Sequence, residues 1–419
     1  MFEKNNQPSM SKWKEYKLGE LTLDGKGHYG IAAPAVDFDC SKYTYLRITD
    51  INDDGTINRQ GLKSVGDVKA KEYLLKPNDI VFARTGASVG RSYFYDGKDG
   101  ELVYAGFLIK FSLNPEKVCP YILKAYTHSQ EYYDWIRAVD NGATRGNINA
   151  QTFASMPISL PSLEEQKRIA GVLSSLDDKI DLLNRENATL EALAETLFRH
   201  YFIENPDPTW KEGKLGDYVI ETIGGEWGTE VPEGESNMPV RCLRGADVAD
   251  LNDGIATRTP LRYVKPSKYE KIKPNNGDII LEISGGTDTC STGRVAYINE
   301  GVKQLFDYPI VFSNFCRLLR VKEDYTYFVY CYFRHLHKQG EFFNLENGSS
   351  GIHNLNYKAA LYDDLGWPVP TDEKLVIEFV EKVKPYFNKI NTNKKQILIL
   401  SAQRDTLLPR LMSGEVKIG

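Results

Sequence analysis

The sequence predicts an α+β fold of mixed α/β character, with two globular domains separated by two long antiparallel coiled-coil helices and a pseudo-twofold internal repeat. Three observations predict this fold class. The first half of the chain recurs in the second half at a fixed offset, short apolar runs and turn dipeptides fill the front of each half, and a long heptad pattern ends each half.

The repeat is visible in two separate segments that share one offset. Trp13 followed by KLGE at 17–20 recurs as Trp210 followed by KLGD at 214–217, which is 197 residues later. The segment LRITDI at 46–51 recurs as LRGADV at 243–248 with that same offset. Chance rarely produces such agreement, so the chain is interpreted as a unit of about 200 residues that has been duplicated and has diverged.

The front part of each half predicts strands joined by turns. Short runs rich in Val, Ile, Tyr and Phe, such as residues 79–83 and 278–283, are separated by Asp-Gly, Asn-Gly and Pro-Asn pairs. Residues 121–138 and 325–336 are typical of helices. Each front part is therefore expected to be a compact domain of mixed α and β structure.

The back part of each half predicts one long helix. From residue 163 to 201 apolar residues repeat with the 4-3 spacing of a coiled coil, and a similar pattern runs from 376 to 411. One seam is interrupted by Asn187 and the other by Asn393, and the second helix also contains Pro385 and Pro409, which are expected to bend or open it. The predicted segments are a first domain at 1–160, a helix at 161–204, a second domain at 205–370 and a helix at 371–419.

The apolar seams of the two helices must be buried against a partner, and the simplest arrangement pairs the two helices with each other. An antiparallel pair would bring Asn187 and Asn393 together, which fixes the register. The residues expected to pair the helices are Leu176, Asn187, Leu190, Ile390, Asn393 and Ile397.

Composition and motifs exclude several functional classes. The 419 residues are 41% hydrophobic and 26% charged, as in ordinary globular proteins, and the longest purely apolar run, 327–333, is far shorter than the ~20 residues that cross a bilayer. The polar N-terminus lacks a signal-peptide core, so a cytoplasmic protein without a membrane partner is expected. The six cysteines are irregularly spaced, no metal is expected, and no catalytic motif stands out.

Three glycine-punctuated loops of the first half indicate nucleic-acid binding. They are KGHYG at 26–30, RTGASVGR at 84–91 and NGATRGNIN at 141–149, and each combines basic or amide side chains with glycines that permit close backbone approach. A single such loop is more often a plain turn, but three in one domain favour the functional interpretation. The candidate DNA-binding residues there are Lys26, His28, Tyr29, Arg84, Thr85, Arg91, Arg145 and Asn147.

The second half supplies fewer candidates because it has diverged. Ile283 stands where the first half has Arg84, and the loop at 287–292 is longer. The candidate DNA-binding residues of this half are Arg244, Ser284, Arg294 and His353. The net charge of −5, from 57 acidic and 52 basic residues, predicts that the chain alone binds DNA weakly.

The whole chain resembles the specificity (S) subunits of type I restriction-modification enzymes. The resemblance lies in the Trp13 and Trp210 starts, DIVFARTG at 79–86, ISLPSLEEQKRIA at 158–170 and LLPRLMSGE at 407–415. It implies that each front domain is a target recognition domain for one half of a bipartite double-stranded DNA site. It also implies that the helices set the spacing between the half-sites and dock two modification (methyltransferase) subunits.

The resemblance further implies a non-catalytic chain that holds no cofactor. S-adenosylmethionine would be bound by the modification subunits, and ATP with Mg by the restriction (endonuclease and translocase) subunits. The main alternative is a coiled-coil scaffold or adaptor whose domains bind protein. A fused methyltransferase or nuclease is disfavoured because its motifs are missing.

Overall fold

The computed structural model of the chain describes residues 13–59, 61–140, 147–204, 206–252, 259–286, 290–349, 352–416 and 418. The chain divides into two compact units. Unit 1 consists of Met1–Lys179 and Ser401–Gly419, and unit 2 is Ile180–Leu400.

The strands are distributed evenly over the two units. Those of unit 1 are β1 (Lys14–Lys17), β2 (His28–Tyr29), β3 (Ala35–Asp37), β4 (Tyr43–Leu46), β5 (Lys63–Val65), β6 (Asp79–Ala83), β7 (Ser92–Tyr95), β8 (Leu102–Tyr104), β9 (Leu108–Ser112) and β10 (Pro157–Leu160). Those of unit 2 are β11 (Val219–Gly224), β12 (Met238–Leu243), β13 (Leu261–Val264), β14 (Ile279–Glu282), β15 (Ser284–Gly286), β16 (Val295–Tyr297), β17 (Ile310–Phe312), β18 (Cys316–Val321), β19 (Glu346–Ser349) and β20 (Ile352–Leu355).

Most helices are short, and two are very long. The α-helices are α1 (Pro120–Tyr126), α2 (Gln130–Asp140), α3 (Ala150–Ala154), α4 (Leu163–Phe202), α5 (Gly245–Asn252), α6 (Pro266–Ile272), α7 (Glu300–Lys303), α8 (Thr326–Gln339), α9 (Tyr357–Tyr362) and α10 (Glu373–Met412). Single 3-10 turns occur at Leu18–Leu21, Ile48–Asp50, Ala70–Tyr73, Gly86–Ser88, Pro208–Glu212, Leu215–Tyr218 and Glu341–Leu345.

The central sheets of the two units have the same strand order. It is β2-β9-β6-β7 in unit 1 and β11-β18-β14-β16 in unit 2, and the neighbouring strands are antiparallel. A second sheet in each unit contains one parallel pair, β4 with β8 or β12 with β17. The mixed α and β class and the internal repeat predicted from the sequence are therefore confirmed.

The repeated LR-x-x-D segment makes the same arginine–aspartate contacts in both units, although it leads into the 3-10 turn Ile48–Asp50 in unit 1 and into α5 in unit 2. Arg47 donates from Nε and Nη2 to the two carboxylate oxygens of Asp50 at 2.9 and 2.6 Å, and Arg244 does the same to Asp247 at 2.9 and 2.8 Å. Each aspartate also accepts from the backbone N–H of its own arginine. The segment recurs because both aspartates are buried and each needs this partner.

The long helices pair antiparallel in each unit. In unit 1 the start of α4 shares a core cluster with the end of α10, through Leu173 and Leu411. In unit 2 the end of α4 shares a cluster with the start of α10, through Phe198 and Phe379. Asn393 Nδ2 donates to Asn187 Oδ1 at 2.9 Å in unit 2, so the two seam asparagines meet as expected.

The other predicted pairing residues differ in burial. Ile390 is fully buried, whereas three are half-buried: Leu176, Leu190 and Ile397.

The end of α4 buries more residues than the heptad pattern of residues 163–201 predicts. Leu197 and Tyr201 fall on the 4-3 pattern of residues 163–201 and are half-buried, whereas Phe198 and Phe202 fall outside it and are fully buried. Phe198 packs edge-on against Tyr332 of α8, with ring centroids 5.2 Å apart. The helix therefore contacts the globular part of unit 2 as well as α10, which a two-helix heptad pattern does not describe.

The two prolines do not interrupt α10. The helix is continuous from residue 373 to 412 although it contains Pro385 and Pro409. Both prolines are exposed, so the carbonyl groups that lose an N–H partner lie where water can reach them. Neither proline therefore breaks the helix, and a bend or local opening at these residues stays a prediction.

Arg404, the one charged residue in the α10 seam, is paired within unit 1. Its Nη1 lies 3.2 Å from Asp177 Oδ1 of α4, and Lys124 Nζ lies 2.9 Å from the other carboxylate oxygen. Tyr121 also donates a hydrogen bond to Asp177. Burial alone would raise the pKa of Asp177, but the charges of Lys124 and Arg404 and the hydrogen bond from Tyr121 outweigh it, so the pKa lies below its usual value.

We expect Asp177→Asn to lower the free energy of unfolding of unit 1 by about 1–2 kcal/mol at pH 7, because two cations lose a partly buried partner. A carboxyl whose pKa is lowered by folding stabilises the protein above its ordinary pKa of about 4, and this contribution is lost as the pH falls. The difference in the free energy of unfolding between Asp177→Asn and the wild type should therefore become smaller below about pH 4. Hydrogen exchange of unit 1 amides measures it.

Asp178→Asn is the matched control, since Asp178 is the adjacent residue and pairs with Lys98 on the surface. It should change stability by less than about 0.5 kcal/mol. Equal effects of the two substitutions would contradict the structural role assigned to Asp177.

Within the described residues, no helix is both long enough and apolar enough to cross a membrane.

Candidate nucleic-acid interface

Parts of the three predicted loops of unit 1 meet at one edge of its central sheet. Tyr29 lies on the edge strand β2, Arg84 follows β6, and Asn147 precedes α3. Arg84 donates from Nε and Nη2 to Asn147 Oδ1 at 3.2 and 3.1 Å, and its guanidinium carbon lies 4.9 Å from the centroid of the Tyr29 ring. The Tyr29 hydroxyl accepts from the backbone N–H of Ala150 at 3.1 Å.

The backbone holds these loops together as well. Thr85 and Asn147 form an antiparallel bridge, and the N–H of Ile148 donates to the carbonyl of Arg84 at 2.9 Å. Thr85 itself is half-buried beside Arg84. The stacked Arg84 and Tyr29 are thus positioned by secondary structure, although Tyr29 remains 44% exposed.

The first loop contributes exposed groups next to Tyr29. Lys26 and His28 are both exposed, and Asp24 accepts hydrogen bonds from the His28 ring at 2.6 Å and from the Lys26 N–H at 3.1 Å. Burial alone would raise the pKa of Asp24, but these bonds and the His28 charge outweigh it, so its pKa is lowered. Gly30 is required here because a Cβ would lie 2.3 Å from the carbonyl oxygen of Ala105.

An exposed phenylalanine adjoins the same surface and was missed in the sequence. Phe107 is 60% exposed, and its carbonyl accepts from the N–H of Arg84 at 3.1 Å. It begins the apolar run FLIKFSL at 107–113, which is typical of a strand and in which an aromatic residue gives no sign of exposure. Its position just before β9 places it at the surface.

Arg91 is engaged within unit 1. Its Nε donates to Asp53 Oδ1 at 2.7 Å and its Nη1 donates to the carbonyl of Ile51 at 3.1 Å. This pairing reduces the charge that Arg91 offers to DNA, and contact with DNA stays a prediction for this residue. Arg145 lies outside the described residues.

The two arginines predicted in unit 2 are also ion-paired. Arg244 is held by Asp247 in the repeated segment, and Arg294 donates from Nε to Glu282 Oε2 at 2.7 Å. Glu282 is buried, which explains the acidic residue in strand β14 as the partner of Arg294. DNA contact by either arginine remains a prediction.

The remaining candidates of unit 2 lie in or beside a small three-stranded sheet, β15-β20-β19. Ser284 is buried opposite Asn354, and the His353 ring makes a 2.8 Å hydrogen bond to Glu346. Glu346 also accepts from the N–H and hydroxyl of Thr292 at 2.6 and 2.7 Å. These contacts connect described residues of the two segments that correspond to 84–91 and 141–149 of unit 1.

The described residues offer little for a metal or small ligand. No three His, Cys, Asp or Glu side chains of this part of the chain are grouped to hold a metal ion. A cavity of about 270 Å³ in unit 2 is lined by charged groups that already pair, Arg334 with Glu191 at 2.7 Å and Lys338 with Glu195 at 2.6 Å.

Comparison with known proteins identifies the class. Residues 10–192 match the model of the family "Type I restriction modification DNA specificity domain". The chain is 26% identical to the type I restriction enzyme MjaIX specificity subunit of Methanocaldococcus jannaschii, over 71% of this chain and 68% of that protein. It is 23% identical to the HindI specificity subunit of Haemophilus influenzae, over 97% of this chain and 100% of that protein.

The fold agrees with a solved structure. The S subunit of a type I restriction-modification system from M. genitalium superposes with a TM-score of 0.51 at 17% identity, covering 98% of both chains. The structure shows a repeated sheet domain followed by a long helix, and the match to the DNA specificity domain falls in the first repeat. Residues 10–192 are thus similar to a DNA specificity domain, and the chain is similar over nearly its whole length to a specificity subunit of a type I restriction enzyme.

Proposed function

We propose that this chain is the non-catalytic recognition subunit of its complex and that unit 1 reads one half of a bipartite DNA site through Tyr29, Arg84 and Asn147. The observation that carries the proposal is that Arg84 has no carboxylate partner among the described residues. Every other arginine that the structure describes in unit 1 lies within 4 Å of a carboxylate: Arg47, Arg59, Arg91, Arg137, Arg168, Arg404 and Arg410.

Arg84 has Asn147 in place of a carboxylate, so no anion among the described residues compensates its charge. A guanidinium has five N–H donors, and Asn147 uses two of them, which leaves three for a ligand. The two hydrogen bonds to Asn147 and the Tyr29 ring 4.9 Å away hold the guanidinium in position. A fixed, uncompensated guanidinium is the group that forms paired hydrogen bonds with guanine in the major groove or with a phosphate.

The partners and the location complete the proposal. Two modification subunits would bind this chain along α4 and α10 and supply S-adenosylmethionine-dependent methylation, while restriction subunits would supply ATP- and Mg-dependent cleavage in the cytoplasm. Leu182 and Ile399 support docking on the helices. They are 50% and 52% exposed and lie at the same level of the helix pair, five and six residues from Asn187 and Asn393 respectively.

The scaffold hypothesis gains no support, because the matched family and the relatives reported above are DNA specificity proteins.

The proposal is tested by mapping methylated bases and then measuring DNA binding. The chain is produced with its modification subunits in a bacterium that lacks other methyltransferases, and the methylated motif is read from the genome. Gel shift then compares a duplex carrying that motif with a scrambled duplex. We expect a bipartite motif and at least a tenfold preference for it by the complex, with weak binding by the chain alone because its net charge is −5.

A complex that shows no sequence preference would contradict the proposal. Methylation of the genome by this chain without modification subunits would contradict its non-catalytic role.

A further inference from the structure

The arginines of unit 2 show the same distribution of partners as those of unit 1. Among the described arginines of this unit, those within 4 Å of a carboxylate are Arg185, Arg199, Arg241, Arg244, Arg262, Arg294, Arg320 and Arg334. Arg317 is the exception. Its guanidinium carbon lies 5.3 Å from the ring centroid of Tyr357, and its Nε is buried without a hydrogen-bond partner in the described structure.

The strand registers show where Arg317 lies relative to the repeat. In unit 1, Ile109 of β9 pairs with Phe82 on one side and with Tyr29 on the other. In unit 2, Arg317 of β18 pairs with Leu281 on one side and with Gly224 on the other. Arg317 therefore occupies the position of Ile109, and Gly224 occupies the position of Tyr29.

The segments that precede α3 in unit 1 and α9 in unit 2 complete the comparison of the two units. Thr85 bridges Asn147 in unit 1, and Ser284 pairs with Asn354 in unit 2. Counting three residues onward from each asparagine places Tyr357 where unit 1 has Ala150.

The same place on the sheet edge thus carries an arginine stacked on a tyrosine in both units, with the two side chains supplied by different positions. In unit 1 the tyrosine comes from the edge strand and the arginine from the loop after β6. In unit 2 the arginine comes from β18 and the tyrosine from the start of α9. A Cβ on Gly224 would lie 2.3 Å from Arg317 Nη1, so the guanidinium takes the space that a side chain on the edge strand would need.

We propose that Arg317, stacked on Tyr357, reads a guanine in the second half-site. This inference rests on the proposed function and names the residue pair of unit 2 that performs it. An uncompensated, half-buried guanidinium is unfavourable unless a ligand supplies acceptors. The N7 and O6 of guanine provide two acceptors in one plane, which match the planar fork of donors of an arginine held beside a tyrosine ring.

An exposed phenylalanine of unit 2 lies near Arg317 and Tyr357, as Phe107 lies near Arg84 in unit 1. Phe315 is 50% exposed, and its carbonyl accepts from the N–H of Ile283 at 2.9 Å, just as the carbonyl of Phe107 accepts from the N–H of Arg84. An exposed phenylalanine therefore adjoins the arginine–tyrosine pair in both units. Apolar side chains at such positions contact thymine methyl groups or base steps, so the pair lies on a surface suited to DNA.

The test uses the complex with its modification subunits and the motif mapped for the wild type. Duplexes carry single base-pair replacements at each G·C position of either half-site. We expect the wild type to discriminate about 5- to 150-fold at one G·C position of one half, and Arg317→Ala to lose that discrimination while keeping it in the other half. Tyr357→Ala should weaken the same discrimination, and Arg317→Lys should abolish it while retaining the charge.

Arg241→Ala is the matched control, because Arg241 also lies beside a tyrosine, Tyr308 at 6.0 Å, but is held by Asp307 through two 2.8 Å bonds. It should leave both half-sites unchanged. Hydrogen exchange of the variants checks that unit 2 remains folded.

Three outcomes would overturn the inference. They are an unchanged preference of Arg317→Ala, an equal loss of affinity for all duplexes, which indicates a phosphate contact, and a change confined to the half-site that Arg84→Ala alters. A wild type without a bipartite motif is a different result, because it refutes the proposed function before any variant is made.

Discussion

Arg84→Ala is expected to lower the affinity of the complex for its target DNA by about 1–3 kcal/mol and to relax the sequence requirement in one half-site only. The substitution removes the guanidinium that stacks on Tyr29 and binds Asn147, while the strands that support it remain. A bidentate contact to a base is worth about this much in discrimination. Titration of duplexes carrying the mapped motif and single replacements measures both effects.

Arg91→Ala serves as the comparison, since Arg91 lies at the other end of the same loop. Its guanidinium already binds Asp53 and the carbonyl of Ile51, so we expect a smaller loss of DNA affinity than for Arg84→Ala. A greater loss for Arg91→Ala would show that the loop contacts DNA through Arg91 and not through Arg84. Unchanged DNA binding by Arg84→Ala would contradict the proposal that Arg84 contacts a base in unit 1.

The repeat and the long helices could be predicted from the sequence because both leave periodic signals. The KLG and LR-x-x-D segments recur since they form contacts that need those residues, as Arg47 and Arg244 show. The Asn187–Asn393 contact followed from heptad spacing alone. Phe198 was placed outside the seam because a heptad describes one partner helix, whereas this helix also packs against α8.

The candidate sites were predicted less completely for a physical reason. Arg91, Arg244 and Arg294 look like free cations in the sequence, but each has a carboxylate partner that is distant or inconspicuous along the chain. The loops of unit 1 could be found because glycines and basic residues are clustered there. Arg317 lies in strand β18, whose sequence is typical of an ordinary core strand. Its position relative to the repeat becomes clear only from its pairing with Leu281 in the sheet.

Phe198→Ala is expected to lower the free energy of unfolding of unit 2 by about 3–5 kcal/mol, the usual cost of truncating a fully buried aromatic residue. Phe198 is completely buried, and its ring lies 5.2 Å from that of Tyr332 on α8 and 5.9 Å from that of Phe379 on α10. It joins the long helices to the globular part of unit 2. Hydrogen exchange of unit 2 amides and thermal unfolding measure the loss.

Leu193→Ala is the control on the same helix, because Leu193 is 46% exposed and should change stability by less than about 0.5 kcal/mol. If the end of α4 were only a coiled-coil partner of α10, truncating the half-buried seam residue Leu197 would cost more than truncating Phe198. The opposite order is expected here, since burial against α8 accounts for much of the contact area of Phe198. Loss of this residue should therefore weaken α8 and both long helices together.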